Sequence, residues 1–368
     1  MRLSFVIALL LCGRIADAYP QFQLSQGVDR CTACHFSPAG GGLLNDYGRN
    51  EAGETISRGG DGRFLHGVWE PPAWLRLGVD LRGAAAAKAQ AGARDVLVFP
   101  MQADAYVRAG GEAFSVNLTL GVRGGARDPQ PPFVERLASR EHYVMYERPS
   151  GTYVRAGRFF PVFGIRSQDH TAFVRRYLGF HTLEEPYGVA AGMFGKTHET
   201  HVSVFIARPA EILGSGVKAK GVVVYHERRL MDDTAAVGAQ ARFAVSPEDS
   251  RVAIGVIGKR WFPDAKLLLL GELDLQRQAF AGDAGPTRYQ LAAYGGASTF
   301  VARGWQVGAA VHRWLPDLRQ RSARDAFEVS VQFFPRAHFE LHALTRVTGA
   351  GDFEDPSLLA FLQLHYNL

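Results

Sequence analysis

The sequence predicts an all-β fold, an antiparallel transmembrane β-barrel of about sixteen strands preceded by a small N-terminal cap domain. Three observations predict the barrel. Runs that alternate with a period close to two recur from residue 74 to the C-terminus, and the connections between them alternate between short and long. In addition, no stretch reaches the roughly 18 consecutive apolar residues that a membrane-spanning helix needs.

The first strand shows the alternation clearly. In WLRLGVDLRG, residues 74–83, apolar side chains alternate with Arg76, Asp80 and Arg82. Each run alone is a weak signal, as barrel strands usually are, so the prediction rests on their recurrence. The predicted strands are 75–82, 96–108, 114–123, 141–147, 153–159, 188–194, 200–207, 220–227, 236–244, 251–258, 266–276, 289–298, 304–312, 327–333, 338–345 and 358–367.

The connections predict which end of the barrel faces which side of the membrane. Several connections after even-numbered strands are short, such as 109–113, 148–151 and 334–337. Most of those after odd-numbered strands are long, such as 83–95, 124–140 and 313–326. Outer-membrane barrels have short periplasmic turns and long outer loops, whereas a soluble sandwich has no reason to sort its loops by length.

The last strand and the third outer connection also resemble those of outer-membrane porins. The C-terminal LLAFLQLHYNL alternates and ends in the apolar Leu368, where the family usually ends in Phe. The third outer connection, 160–186, is very long, and in porins this loop commonly folds inward and narrows the channel. That resemblance implies a constriction; a solvated surface loop is the alternative. The candidate constriction residues are Arg166, Asp169, His170, Arg175, Arg176, Glu184 and Glu185.

The N-terminus reads as a secretion signal. Residues 1–18 contain a basic Arg2, an apolar run and the small-x-small Ala16-Asp17-Ala18, so we expect the mature chain to start near Tyr19. Removing two basic residues from 41 and one acidic residue from 36 leaves a net charge of +4. Because this excess is spread along the chain, the sequence does not predict a nucleic-acid partner.

The segment Cys31-Thr32-Ala33-Cys34-His35 carries the chemistry. C-x-x-C-H is the attachment signature of a c-type haem, in which both thiols form thioethers and the histidine binds the iron. A disulfide does not require the following histidine, and zinc would need a second pair of ligands. We therefore predict one covalently attached haem c, held by Cys31 and Cys34, with His35 as its axial ligand. No catalytic constellation is assigned.

Residues 19–73 read as a small haem cap and residues 74–368 as the barrel. A short helix is plausible in 43–56, followed by a glycine-rich linker. About fifty residues are too few to bury a haem unaided, so we expect the cap to rest on the barrel or inside it. His66 is the local candidate for the second axial ligand. The alternatives are an open position or a ligand from the barrel wall, where Met101, Met145 and Met193 are the methionines considered.

The order of parts resembles a known family, the outer-membrane fused monohaem cytochrome-porins associated with oxidation of extracellular ferrous iron. The local resemblance lies in Pro20, Phe22, the CxxCH motif, Pro38, Leu44, Asn45, Tyr47 and Gly48, about thirty positions in all. The triple glycine at 40–42 and a barrel compact for that family depart from it. The resemblance implies an outer-membrane protein with its haem domain in the periplasm or the lumen.

On this hypothesis an extracellular reduced donor, such as ferrous iron, passes electrons through the haem to a periplasmic cytochrome c or copper protein, and outer-membrane lipid surrounds the barrel. The apolar band of such a barrel is about 25 Å tall, which favours a haem placed within the lumen. The alternative is a diffusion porin for small polar or anionic solutes, with the cap as a plug or sensor. A haem peroxidase is a third, weaker interpretation, because it needs an open iron position and a distal acid-base group.

Overall fold

A computed structural model describes residue 24 and residues 30–123, 136–167, 169–178, 185–207, 218–320, 322–350 and 354–368. Within these ranges sixteen antiparallel strands close into one barrel, each strand paired with its sequence neighbours and β1 with β16. The predicted fold class is therefore confirmed. The strands are β1 Leu75–Gln90, β2 Ala93–Gly110, β3 Phe114–Arg123, β4 Leu137–Glu147, β5 Thr152–Arg158, β6 Tyr187–Phe194, β7 His198–Ile206, β8 Lys220–Leu230, β9 Ala235–Val245, β10 Asp249–Phe262, β11 Leu267–Phe280, β12 Arg288–Ala302, β13 Trp305–Leu315, β14 Arg324–Arg336, β15 Phe339–Ala350 and β16 Glu354–Asn367.

The predicted long loop at 83–95 is wrong. Residues 83–90 continue β1 and residues 93–95 begin β2, so that only Ala91 and Gly92 turn the chain. Both turn residues have positive φ, 48° and 82°, as a tight hairpin turn requires. The sequence concealed this hairpin because the run of four alanines at 84–87 shows no contrast between apolar and polar positions.

The wall has an apolar outer face and a polar inner face. Along β7, Val202, Val204 and Ile206 point outward, and Val204 is 54% exposed, whereas Ser203 is 2% exposed and faces the lumen. The last strand alternates in the same way, with Leu362 and Leu364 outside and Gln363 inside. An apolar exterior around a polar interior is the pattern of a barrel that lies in a lipid bilayer.

The cap enters the barrel at the end that carries the short turns. A 3-10 turn covers Cys31–Ala33, helix α1 covers Asp46–Asn50 and continues as a wider π-helical turn over Glu51–Ile56, and a second 3-10 turn covers Phe64–Gly67. Backbone hydrogen bonds join the cap to this rim: Arg58 N donates to Phe334 O at 3.0 Å, and Ala337 N donates to Gly59 O at 2.7 Å.

The segment 30–44 lies within the lumen. Ala39 packs against Val162, Ile165, Tyr225 and Ile257, which belong to the loop after β5 and to the inner wall. Leu43 is buried beside Gly78 of β1, where a Cβ added to the glycine would lie 2.6 Å from Leu43 Cδ1. The cap therefore fills part of the space that sixteen strands enclose.

The connection between β5 and β6 also crosses the lumen, and we call its described part, 159–167, 169–178 and 185–186, the inward loop. It carries a π-helical turn over Val174–Leu178. Its backbone reaches the opposite wall, where Gly164 N donates to Gln240 Oε1 at 2.5 Å and Ile165 N donates to Glu272 Oε2 at 2.9 Å. Among the described residues, none of the helices has the length and apolarity needed to cross a membrane.

Candidate functional site

A cavity of about 530 Å³ lies inside the barrel between the cap, the inward loop and the inner wall. Cys31, Cys34 and His35 line it together. The wall residues that line it come mainly from β1–β4 and β14–β16, and the inward loop contributes Phe160, Pro161, Phe163, Gly164, Arg166 and His170 among others. The three residues of the CxxCH motif therefore share one cavity with the lumen wall.

The motif adopts a tight turn that presents both thiols. Cys34 N and His35 N donate to Cys31 O at 3.2 and 2.9 Å, and Asn45 Nδ2 donates to the carbonyls of Thr32 and Ala33. Gly40 has a φ of 75°, and a Cβ added there would lie 3.1 Å from Cys31 Sγ, so glycine permits the close passage of the chain.

Both cysteines are buried, and they are not joined in a disulfide. Burial is the main cause that raises the pKa of the Cys31 thiol above its ordinary value. A raised pKa disfavours the thiolate that thiol–disulfide exchange requires, which weakens the interpretation of the pair as redox thiols.

The cavity fits a covalently held haem in size and chemistry. Its volume lies within the range of roughly 300–1,000 Å³ typical of cofactor sites, which are mostly apolar with a few polar groups. Apolar side chains from the cap and the wall line it, and basic side chains lie in the same lining, of which Arg82 and Arg140 already pair with Asp80 and Asp104. The apolar members include Leu44, Ile56, Val79, Phe99 and Phe334, and the basic members include Arg82, Arg140 and Arg336.

The structure does not place His66 in this cavity. His66 Nε2 lies 3.2 Å from Tyr366 Oη, and its ring packs edge-on against His338 with ring centroids 4.7 Å apart. These three residues lie at the rim, where the cap meets β16 and the turn between β14 and β15. His66 is not among the residues that line the cavity, whereas His338 and His365 are.

Two carboxylates of the inward loop are held in ion pairs. Asp169 pairs with Arg346 of β15, which also bonds to Glu328. Glu185 is fully buried and lies 3.5 Å from Arg140 and 3.4 Å from Arg158. Neither carboxylate is therefore positioned to gather a cation.

The other predicted constriction residues are spread around the loop. Arg166 donates to Glu199 Oε1 at 2.7 Å, and Arg175 donates to Ser167 O. Arg166, His170 and Arg175 line the cavity, whereas Arg176 is exposed and does not. Glu184 lies outside the described residues. The loop thus brings two arginines, a histidine and Glu185 to the cavity and ties its other described carboxylate, Asp169, to β15.

Sequence reasoning missed the wall side of the site. His365 of β16 lies between two carboxylates, with Nε2 2.9 Å from Asp80 Oδ1 and Nδ1 2.8 Å from Glu340 Oε2. All three line the cavity. The sequence contained a signal for these three residues, because each of them occupies a polar position of an alternating strand and is therefore expected to face the lumen.

Comparison with known proteins supports the fold. No protein-family model and no curated protein matches the sequence. Among solved structures, OprB of Pseudomonas putida is similar with a TM-score of 0.62 at 10% identity, covering 80% of this chain and 94% of that one. OmpT of Vibrio cholerae with loop L8 deleted gives 0.61 at 9% identity, covering 80% and 99%. An anion-selective porin from Comamonas acidovorans gives 0.56 at 11%, covering 80% and 99%. The chain thus has the fold of a porin-like barrel.

Proposed function

We propose that this protein is an outer-membrane electron-transfer protein with one haem c held in the barrel lumen. An extracellular reduced donor, such as ferrous iron, would give its electron at the cavity, and a periplasmic cytochrome or copper protein would take it at the cap. The observation that carries the proposal is that Cys31, Cys34 and His35 line the same lumen cavity. The order of parts, which resembles the fused cytochrome-porins, also supports it.

The residues of the site have two roles, the attachment of the haem and its shielding from solvent. Cys31 and Cys34 would hold the haem through thioethers, and His35 would bind its iron; when bound, the haem supplies one-electron chemistry at that iron. The cap and the inward loop would shield the haem from bulk water, since both lie inside the barrel. The position of the cap in the lumen supports electron transfer across the membrane, because it shortens a barrier that is about 25 Å tall.

The test is the optical spectrum of the purified full-length protein under denaturing conditions, with and without Cys31→Ser plus Cys34→Ser. The proposal predicts one covalent haem per chain, lost in the double variant and reducible by ferrous iron in the wild type. Cys12→Ser is the matched control, because residue 12 lies in the predicted leader. A wild-type protein without haem would overturn the proposal.

A second candidate is a diffusion channel for small polar or anionic solutes. The fold comparisons favour it more directly than electron transfer, because the similar structures are outer-membrane channels and one of them is described as an anion-selective porin. Arg175 in the cavity lining would suit anions, whereas Arg82, Arg140 and Arg166 are paired with carboxylates. On this interpretation the cap regulates or restricts passage.

Liposome swelling separates the two candidates. The electron-transfer proposal predicts that the haem-loaded protein admits small anions and sugars slowly, because the cap and the inward loop occupy the lumen. The double cysteine variant provides the comparison without haem. Rapid permeation through the haem-loaded protein would support the channel and would contradict a plugged conduit.

A further inference from the structure

We propose that Met101 of β2 is the second axial ligand of the haem iron, together with His35. This inference rests on the proposed function, because it requires the haem. It replaces the local candidate His66 with a residue of the barrel wall. The evidence comes from a β-bulge, from the position of Met101 relative to the cap, and from the surroundings of the other candidate ligands.

A β-bulge turns Met101 into the cavity. Arg82 of β1 pairs with Gln102, and the next residue, Gly83, pairs with Pro100, so Met101 is the extra residue. On the loop side of the bulge Val98 points outward and is 82% exposed, while Phe99 lines the cavity. On the other side the even-numbered Gln102, Asp104 and Tyr106 line it.

The bulge therefore lets the adjacent Met101 and Gln102 both face inward, which a regular strand would forbid. Bulges that redirect a side chain are frequent beside functional sites. Pro100 provides a reason for the irregularity, since proline cannot donate a ladder hydrogen bond and is confined to strand edges and bulges.

Met101 lines the same cavity as Cys31, Cys34 and His35. It lies five residues from Tyr106 along β2, towards the outer loops, and Tyr106 contacts the cap, where a Cβ added to Gly42 would lie 3.5 Å from Tyr106 Cε1. The Met101 thioether is therefore the sulfur donor that the wall offers to the space beside the CxxCH turn.

The other methionines in the wall do not reach the cavity. Met145 is buried in a cluster with Tyr143, Tyr153 and Phe159 near the β4–β5 wall. Met193 of β6 is 44% exposed on the outer face. Neither lines the cavity, and of the three methionines considered from sequence only Met101 does.

The two rim and wall histidines in the lining are engaged through both ring nitrogens. His338 faces Asn367 O at 2.7 Å and Arg63 O at 3.1 Å. His365 is held between Asp80 and Glu340. Either ring would have to give up one of these contacts to bind iron through that nitrogen, whereas no such contact has to be broken at the Met101 thioether in the cavity lining. His170 of the inward loop is the remaining histidine in the lining and is the rival ligand to be tested.

A histidine and methionine pair would set the chemistry of the site. A methionine ligand raises the reduction potential of a haem relative to histidine, and a higher potential favours taking an electron from a weak donor such as ferrous iron. The proposal therefore predicts a high-potential haem in a protein whose cap lacks any methionine between residues 30 and 73.

The experiment compares wild type with Met101→Leu, His170→Ala and the control Met193→Leu, all as full-length protein. The oxidised wild type should be low-spin and show the red charge-transfer band of an iron–methionine bond. Met101→Leu should lose that band, lower the midpoint potential and bind added imidazole about tenfold more tightly. Met193→Leu and His170→Ala should leave band and potential unchanged.

The outcomes separate this inference from the proposed function. A wild-type protein with no covalent haem would refute the proposed function. Covalent haem without the methionine band, or loss of low-spin character in His170→Ala but not in Met101→Leu, would refute Met101 as the ligand while leaving the haem in place. The wild-type spectrum decides even if Met101→Leu fails to fold, and heat-modifiable gel mobility reports whether each variant forms the barrel.

Discussion

The cap and the inward loop both occupy the lumen, but different forces hold them there. Main-chain groups join the cap to two short turns: Arg58 N and Gly59 O bond to the β14–β15 turn region, and Arg303 donates to the carbonyls of Ser57 and Glu54. Charged side chains fasten the inward loop, through Arg166 to Glu199 and through Arg346 to Asp169. The inward loop also has main-chain bonds to the wall at Gly164 and Ile165, so the contrast is that buried ion pairs are added to them in the loop, whereas the cap relies mainly on hydrogen bonds of its main chain.

This difference suggests separate roles. A cofactor site needs a fixed frame, and close main-chain packing supplies one independent of pH and salt. The position of a loop held by ion pairs depends on individual charges, and a single substitution can remove each of them. Arg166 connects the two regions, because it also donates to the Pro38 carbonyl of the cap at 3.3 Å.

The largest effect is expected from filling the contact between α1 and the CxxCH turn. A Cβ at Gly48 would lie 2.9 Å from Cys34 Cα and closer still to its carbonyl oxygen. Gly48→Ala should destabilise the cap by about 3 kcal/mol, the upper range for overpacking, and lower the amount of covalent haem per chain. Protease protection of the cap and haem content measure this.

The matched control is Gly59→Ala. A Cβ at Gly59 meets no atom within 4 Å, and its φ is not in the left-handed region. This variant should retain wild-type haem content. Equal losses of haem in Gly48→Ala and Gly59→Ala would show that close packing at Gly48 does not hold the cap.

The second effect tests the charged attachment of the inward loop. Arg346→Leu leaves Asp169 and Glu328 without their shared cation, and we expect a loss of about 2 kcal/mol in the free energy of unfolding. Arg346→Lys, which keeps the charge, should recover part of it. Urea titration followed by tryptophan fluorescence measures the change.

The haem content of Arg346→Leu should stay at the wild-type level, because the cap has its own contacts with the barrel. A parallel loss of haem would contradict the inference that the cap and the inward loop are held independently.

A smaller effect is expected in how the free energy of unfolding depends on pH. Burial opposes the charge of Asp169, but Arg346 and the hydrogen bonds from Thr171 outweigh it and hold the pKa of Asp169 below its ordinary value. Its stabilising contribution is therefore present above the ordinary pKa of about 3.8 and is lost only as pH falls through the lower folded value.

The difference in unfolding free energy between wild type and Asp169→Asn, about 1 kcal/mol, should therefore stay constant between pH 7 and about pH 4.5. A difference that shrinks across this range would show that the ion pair does not hold the loop.

The sequence predicted the barrel well because strand alternation is a local signal. It predicted all sixteen strands, the alternation of β16 and the short turns at the cap end. It failed at 83–95, where alanines hide the alternation, and it could not assign the second axial ligand. The bulge at Met101 depends on the register between β1 and β2, and Asp80, Glu340 and His365 meet only when β1 and β16 close the barrel.

The smallest effect is expected at the residue that the sequence favoured as second ligand. His66→Ala removes one hydrogen bond to Tyr366 and an edge contact with His338 at the rim, so its cost should be about 0.5 kcal/mol. Its oxidised spectrum and midpoint potential should match the wild type, whereas those of Met101→Leu should not. A shift to high spin in His66→Ala would mean that the cap rearranges to bring residue 66 to the iron. The main-chain bonds at Arg58 and Gly59 would then not fix the cap, and the contrast between a cap held mainly by main-chain hydrogen bonds and a loop that adds buried ion pairs would no longer stand.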